Sequence, residues 1–500
     1  WDLATGAEVG PAGATHHAEV AAVAYAPDGR TLATAGGDHT VRLWEAATGR
    51  QLHLLRGHAA AVHGLAFTPD GATLASADRD GGIRLWETAT GRPIRAIQAV
   101  PKSAGLSTGI CPLAFSPDGR RLLSWGDDRQ MCLWDMTTGK ELWRRRTRLT
   151  DAALPAGRPE GFEERGKGVD GVCFSADGRV AAVATGENVY VLDTMTGREL
   201  VKLPGQSSPL RLALAADGRA LAVTGWDGWV ALWEVASGRE LMRAENVGHV
   251  NAVAVAPDGR SLAAASEFTD GVIHLLDTRT GQPVAQLRGH GSYVGALAYA
   301  PDGKSLAAGQ RDTTALVWDL RPALTHLGPP QNGEPEALWA DLAGADARKA
   351  RDAVRALAAM PGAVSFLKER LRPAERVAPD RLRRLIADLD SPRFTARESA
   401  AKELTAVWPE AEPALREALK GGLTLEARRR TEALLASPPP VGAVTGEALR
   451  GVRAVEVLEA VGTPEAVAVL AALAGGAPSA RATAEARAAC ERLSRVRSGG

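Results

Sequence analysis

Cysteine is scarce: Cys111, Cys132, Cys173 and Cys490 are the four in 500 residues, far apart and with no Cys-x-x-Cys pair. That spacing excludes a recognisable zinc or thioredoxin-type site and leaves reduced, buried structural thiols as the reading. An excess of one charge is missing too. With 59 basic and 59 acidic residues the formal net charge is zero, so the chain has no overall attraction to nucleic acid or anionic membrane. The longest apolar run, Ala466 to Ala474, is about half of what a membrane span needs, and no secretory signal opens the sequence. The start at Trp1 reads as a fragment or a processed piece, with any targeting segment upstream, and the expected location is the cytoplasm. No phosphate-cradling glycine loop, metal-ligand cluster or Gly-x-Ser-x-Gly elbow stands in a supporting context. No cofactor and no metal are expected.

What is present is enough apolar sequence for about two to four domains and an internal ruler. The tripeptide Pro-Asp-Gly, relaxed in places, ends at Gly29, Gly71, Gly119, Gly178, Gly218, Gly259 and Gly303. Nine residues after five of these glycines comes an aspartate (Asp38, Asp80, Asp128, Asp227, Asp312), and fifteen after the same five a tryptophan (Trp44, Trp86, Trp134, Trp233, Trp318). Thirteen residues before three of them stands a histidine: His16, His58 or His290. Between the markers run short apolar segments such as VHGLAF, ATLAS and GIRLW, closed by Pro-Asp-Gly, Asp-x-x and Thr-Gly turns. Short period-two strands at regular spacing argue a meander of antiparallel strands.

Units of about forty residues, with four strands and a Gly-His to Trp-Asp frame, resemble the WD-repeat family of β-propellers. The resemblance covers residues 1–321. It implies that the Gly-His histidine, a second-strand hydroxyl, the turn aspartate and the third-strand tryptophan hydrogen-bond inside each blade. Carried over by position, these are His16, Thr34, Asp38 and Trp44 in the first repeat and His58, Ser76, Asp80 and Trp86 in the second. The third keeps Ser124, Asp128 and Trp134 with Leu106 for the histidine, the fifth keeps Asp227 and Trp233, and the seventh keeps His290, Asp312 and Trp318 with Ala308 for the hydroxyl. Repeats four and six replace the tryptophan with Leu192 and Leu276 and must lean on apolar packing. Taken alone, Ser76, His58 and Asp80 suggest a nucleophile, its base and an orienting carboxylate. A hydrolase needs one such set in a cleft, whereas this one recurs around a ring, so the structural reading is preferred.

Seven repeats predict seven blades. Nothing strand-like stands between Asp319 and Pro322, and the opening WDLATGAEVG is expected to pair with blade seven and remove its exposed edge; a blade lost upstream is the competing reading. The two longest connections, Gln98 to Gly109 and Arg145 to Gly168, both lead from a fourth strand to the next first strand. They extend the face that, by the resemblance, most often receives partners. Residues preceding the turn aspartates (Arg79, Asp127, Trp226, Arg311) and residues flanking the first valine of the first strands (Glu19, His63, Tyr293) are expected to point to that face. Arginine, tryptophan and tyrosine are the types that most often anchor interfaces.

After Arg321 the texture changes. Residues 322–335, rich in proline and glycine, read as a linker, and residues 336–497 as an all-α domain with apolar positions three and four apart. Ser391-Pro392 and Thr463-Pro464 mark helix starts, and Gly421-Gly422 and Gly475-Gly476 mark stops. Glu398/Lys402, Glu412/Arg416 and Glu426/Arg430 are pairs four apart, suited to solvent faces. Short helices with tight turns imply a solenoid-like stack, and residues 380–495 resemble HEAT-like repeats of the bacterial bilin-lyase-related type. Arg381, Arg383, Arg384 and Arg428 to Arg430 are candidates to meet an acidic surface, solvated helix faces being the commoner outcome. The expected fold class is multidomain, an all-β seven-bladed propeller followed by an all-α HEAT-like solenoid. The expected function is a non-catalytic scaffold whose partners are proteins, not nucleic acid or membrane. Two alternatives stay open: a propeller-type hydrolase or lyase, and the sensor half of a longer protein with a catalytic module upstream of Trp1.

Overall fold

The computed structural model describes residues 16–498 except 100–112, 117, 126–129, 147–168, 176–177, 186–187, 195–197, 204–208, 226, 246, 267–270, 290, 326, 328–332, 422 and 437–442. The opening WDLATGAEVG and most of both long connections therefore lie outside the described residues. Each repeat folds into one antiparallel sheet with its strands in chain order, over 20–55, 62–98, 113–146, 169–203, 209–244, 250–287 and 294–319. The first six sheets have four strands, and the seventh has three among the described residues. The structure is a seven-bladed β-propeller followed by a helical region.

The turn between the first two strands shows why the ruler works. Gly29 N–H donates to Ala26 O at 2.9 Å and Gly303 N–H to Ala300 O at 2.9 Å, while Asp28 Oδ1 accepts from Arg30 N–H at 2.9 Å. All seven glycines of the tripeptide sit at φ between 63° and 71°, where an L side chain is strained. A β-bulge recurs at the start of the first strand, as between Val20 and Ala22 or Val294 and Ala296, and turns the strand end toward the loops. Second strands are buried on both faces, Ala220–Gly225 throughout its length, so they read as apolar runs. The first strand of blade one lies beside the first strands of blades two and seven, which closes the ring. His16 N–H adds a bond to Thr313 O at 3.3 Å, tying blade one to the last turn of blade seven.

Helix α1 (Arg321–Leu324) docks on the propeller: Leu320, Ala323 and Leu324 join the apolar cluster of blades six and seven, and Arg260 Nη2 donates to Leu327 O at 3.3 Å. The first part of the expected linker is thus propeller structure, and the two compact units divide between Pro329 and Pro330. The second unit contains α2 (Pro335–Asp341), α3 (Ala347–Ala359), α4 (Ala363–Arg370), α5 (Pro379–Asp388), α6 (Phe394–Ala406), α7 (Trp408–Lys420), α8 (Leu425–Ala436), α9 (Gly446–Val461), α10 (Pro464–Ala474) and α11 (Arg481–Ser498).

These helices do not stack in chain order, which corrects the expected solenoid. Leu342, Val354, Leu357 and Leu367 from α2 to α4 share one core with Val455, Leu458, Leu470 and Ala486 from α9 to α11. Leu385, Leu389, Leu404, Trp408 and Leu415 form a second core within α5 to α8. A solenoid repeat touches only its neighbours in sequence, whereas here one bundle is inserted into another. The reason is legible in α9, which buries Leu449, Val452, Arg453, Ala454, Val455, Val457 and Leu458; that stripe is too wide for one neighbour and needs helices on several sides. Arg453 is 1% exposed and donates from Nη1 to Leu342 O at 2.8 Å and Gly344 O at 3.0 Å, satisfying carbonyls at the end of α2. Glu410 joins the bundles, its carboxylate accepting from Val377 N–H at 2.8 Å and from Ser479 Oγ at 2.7 Å.

Local signals fared unevenly. Thr463 accepts from Ala466 N–H at 3.3 Å and caps α10, and α7 and α10 end at Lys420 and Ala474, immediately before their glycines. Ser391 is not a cap: α6 begins at Phe394, and Ser391 Oγ accepts from Arg393 N–H at 3.3 Å within the preceding turn. Glu412 pairs with Arg416 and Glu426 with Arg430, both at 2.7 Å, but Glu398 reaches across to Arg430 at 3.2 Å instead of along its helix to Lys402.

Candidate interaction surface

The loop face rests on hydrogen-bonded frames that are sealed inside the blades. In blade one Trp44 Nε1–H donates to Thr34 Oγ1 at 2.8 Å, Thr34 meets His16 Nε2 at 2.8 Å, and His16 Nδ1 lies 3.0 Å from Asp38 Oδ1. The ionised carboxylate can only accept, which places the imidazole proton on Nδ1 facing Asp38, so Nε2 accepts from the Thr34 hydroxyl while that hydroxyl accepts from the indole. Thr40 adds its N–H at 3.1 Å and its hydroxyl at 2.8 Å to Asp38 Oδ1. Burial alone would raise Asp38, but the bonds from His16, the His17 N–H and Thr40 hold it well below the usual carboxylate range. Burial lowers His16 more than Asp38 raises it, so the pair is a neutral imidazole donating to an ionised carboxylate.

Blade two repeats the chain with one substitution of place. Trp86 Nε1–H donates to Ser76 Oγ at 2.8 Å, and Ser76 lies 2.6 Å from His58 Nε2. The carboxylate on His58 Nδ1 is that of Asp78, at 2.8 Å. Asp80, the residue expected there, is exposed, and its N–H donates to Asp78 Oδ1 at 3.1 Å. The cause is in the turn. Blade one has Asp38-His39-Thr40, and blade seven has Asp312-Thr313-Thr314, in which Thr314 also donates its N–H to Asp312 Oδ1 at 3.1 Å. Blade two has Asp80-Gly81-Gly82, with no hydroxyl to hold the second carboxylate. Asp78 instead takes the N–H of Gly82 at 2.7 Å, and a Cβ at Gly82 would meet Asp78 Oδ2 at 2.6 Å. Burial would raise Asp78, and its bonds from His58 and Gly82 lower it overall. Ser76 is fully buried, with its hydroxyl and lone pair committed. It is not presented to any substrate.

The frame thins in the other blades. Trp134 Nε1–H donates to Ser124 Oγ at 2.9 Å, while Asp128 lies outside the described residues. Val223 stands where Thr34 and Ser76 stand in their blades, and Trp233 Nε1 is buried without a hydrogen-bond partner among the described residues. In blade seven Asp312 N–H donates to Ser292 Oγ at 3.0 Å, Trp318 is buried, and His290 lies outside the described residues. Leu192 and Leu276 are buried in place of the tryptophan. Asp227 lies in the short turn before the third strand of blade five.

Above this frame, backbone bonds in blades one, two and seven join the first-strand start to the turn after the second strand: Gly37 N–H to Glu19 O at 3.0 Å, Arg79 N–H to Ala61 O at 3.0 Å and Arg311 N–H to Tyr293 O at 2.9 Å. The same bond in three blades brings Glu19, Arg79, Tyr293 and Arg311 onto one face. Glu19, Arg79 and Arg311 are exposed, and Tyr293 and His63 are half-buried. Asp127 and Trp226 lie outside the described residues. Sequence reasoning missed Asp78, Thr40, Thr314 and Ser292. The Asp-x-Thr spacing in blades one and seven, and its absence after Asp80, is the signal that could have found them.

Among the described residues no group of three or more His, Cys, Asp or Glu side chains is placed to hold a metal, and no helix is long and apolar enough to cross a membrane. Cys132, Cys173 and Cys490 form no disulfide among the described residues, and burial pushes Cys173 up to about 12, far from a reactive thiolate.

The fold is a seven-bladed propeller, and four of its blades match WD40 repeats. Residues 13–45, 49–87, 242–277 and 281–319, in blades one, two, six and seven, match the family described as WD domain, G-beta repeat. Residues 70–213 match the family described as outer membrane protein assembly factor BamB. No curated protein matches the chain.

Proposed function

We propose that this protein is a non-catalytic scaffold for protein–protein interaction, with the loop face of the propeller as one binding surface and the helical region as another. The observation that carries this reading is the division of labour in the blades. Hydroxyl, imidazole and carboxylate groups bond to one another inside the sheets, whereas Arg79 and Arg311 project from turns anchored by backbone bonds. Exposed arginines on rigid supports suit recognition, because little entropy is lost when a partner binds. WD40 repeats commonly serve as interaction platforms, and the similarity of 70–213 to a family named for an assembly factor agrees with that role.

The test is affinity capture with the intact chain and with an Arg79→Ala/Arg311→Ala variant. Partners that bind through the loop face are lost from the variant while its thermal stability stays unchanged. An identical set of partners from both chains would remove the loop face from the proposal.

A further inference from the structure

The inner bundle, α5 to α8, and the outer bundle, α2 to α4 with α9 to α11, have separate apolar cores. Among the described residues no helix of one packs along a helix of the other. The connection from α4 to α5 changes core midway: Leu371 packs on the outer core and Val377 on the inner one. Between them Arg372, Pro373, Glu375 and Arg376 are exposed, and no helix or strand forms from Leu371 to Ala378.

A small polar set joins the two bodies. Glu410, half-buried in the first turn of α7, accepts from Val377 N–H at 2.8 Å on the connection and from Ser479 Oγ at 2.7 Å in the turn between α10 and α11. Ala477 N–H donates to Ala374 O at 2.8 Å, and Arg376 Nη2 to Gly475 O at 3.0 Å. Gly476 lets the two backbones approach, since a Cβ there would meet Ala374 N at 2.9 Å. These bonds run between the stretches 374–377 and 475–479, and Glu410 is the one side chain of the inner bundle that grips both. Hydrogen bonds exchanged with water hold weakly, and burial of apolar surface, the stronger force, is spent inside each bundle rather than between them. Such a joint opens at lower cost than either core unfolds.

We propose that α5 to α8 is a hinged arm, which parts from the outer bundle as one body by turning on residues 372–376, and that Glu410 is the latch that holds it in the observed position. The arm gives the helical region a second arrangement with both cores intact. Whatever binds one arrangement better shifts the balance toward it. This inference rests on bonds within the helical region and is independent of the scaffold reading.

The experiment is hydrogen–deuterium exchange of the full chain read by mass spectrometry, with trypsin cleavage after Arg376 as a second readout. Glu410→Ala removes the latch, and Ser479→Asp sets a second carboxylate against it. Each is expected to speed exchange in both 371–378 and 475–480 about tenfold and to hasten cleavage after Arg376, while α3, α6, α7 and α9 keep the protection of the unaltered chain. Ser479→Asp keeps the test intact should Glu410→Ala misfold. Protection lost from both cores together with the joint would show one cooperative body and overturn the arm. Faster exchange in 371–378 alone, with 475–480 unchanged, would reduce the effect to fraying of the connection and overturn it equally. Failure of either folded variant to loosen both stretches would remove Glu410 as the latch.

Discussion

Asp78 Oδ2 lies 2.8 Å from His58 Nδ1 and accepts a hydrogen bond from it, although Asp80 occupies the position that carries the same bond in blade one. The two aspartates should therefore respond in opposite ways to removal. Asp78→Ala strands a buried imidazole and the turn N–H of Gly82, a loss of about 1–3 kcal/mol. Asp80→Ala removes an exposed carboxylate and should stay within about 0.5 kcal/mol. Urea unfolding followed by tryptophan fluorescence decides between them, and comparable losses would refute the register assigned here.

Blade five lacks the hydroxyl that faces its tryptophan. Val223→Thr should supply one to Trp233 Nε1, offsetting the lost methyl and leaving stability equal or higher by about 0.5–1.5 kcal/mol. Val183→Thr at the corresponding place in blade four faces Leu192 and should cost about 1–3 kcal/mol for an unpaired buried hydroxyl. Thermal melts of the two variants should move apart; a common shift would count against the equivalence.

Acidification should weaken the propeller in two stages. His16 has its pKa lowered mainly by burial, so the unfolded chain takes up the proton first and the contribution of His16, complete above about pH 6.5, is lost as pH falls below that value. Asp38 and Asp78 are both held below the ordinary range. Their contribution is present above about pH 4 and disappears as pH falls toward the folded-state values. A pH series of melting temperatures should therefore decline through both windows, and His16→Gln should flatten the upper one. A wild-type melting temperature that rises on acidification would contradict this account.

Arg453 holds the second unit together at one point. Arg453→Met fills the space but leaves the Leu342 and Gly344 carbonyls without their donor, a loss of about 1–3 kcal/mol. Arg453→Lys should fall between, since one ammonium has donors enough for both carbonyls but must reach them from a shorter side chain. Far-UV circular dichroism during urea unfolding measures the difference; no change for Met would assign Arg453 a passive packing role.

Much of the propeller was legible because its punctuation is local. Pro-Asp-Gly demands one backbone conformation, and the Trp-to-hydroxyl spacing is fixed by strand register, so Thr34/Trp44, Ser76/Trp86 and Ser124/Trp134 could be paired by counting. The shift from Asp80 to Asp78 was not legible by counting, since it depends on whether a threonine hydroxyl or an open glycine follows the turn. In the helical region caps and stops such as Thr463, Gly421 and Gly475 were readable for the same local reason. The partnership of α2 to α4 with α9 to α11 was not, because a helical stripe states how much must be covered and not by which helix.

That interrupted arrangement has a consequence for how the chain matures. The core around Leu357 and Leu367 cannot close until Val455, Leu458 and Leu470 have been made, about ninety residues later in synthesis, while the core around Leu404 and Trp408 is complete well before. Domains generally acquire structure from the N-terminal end as they emerge, but here the inner bundle is ready first. The helices that precede it must wait at the ribosome with their apolar stripes uncovered, a window in which a chaperone has something to hold.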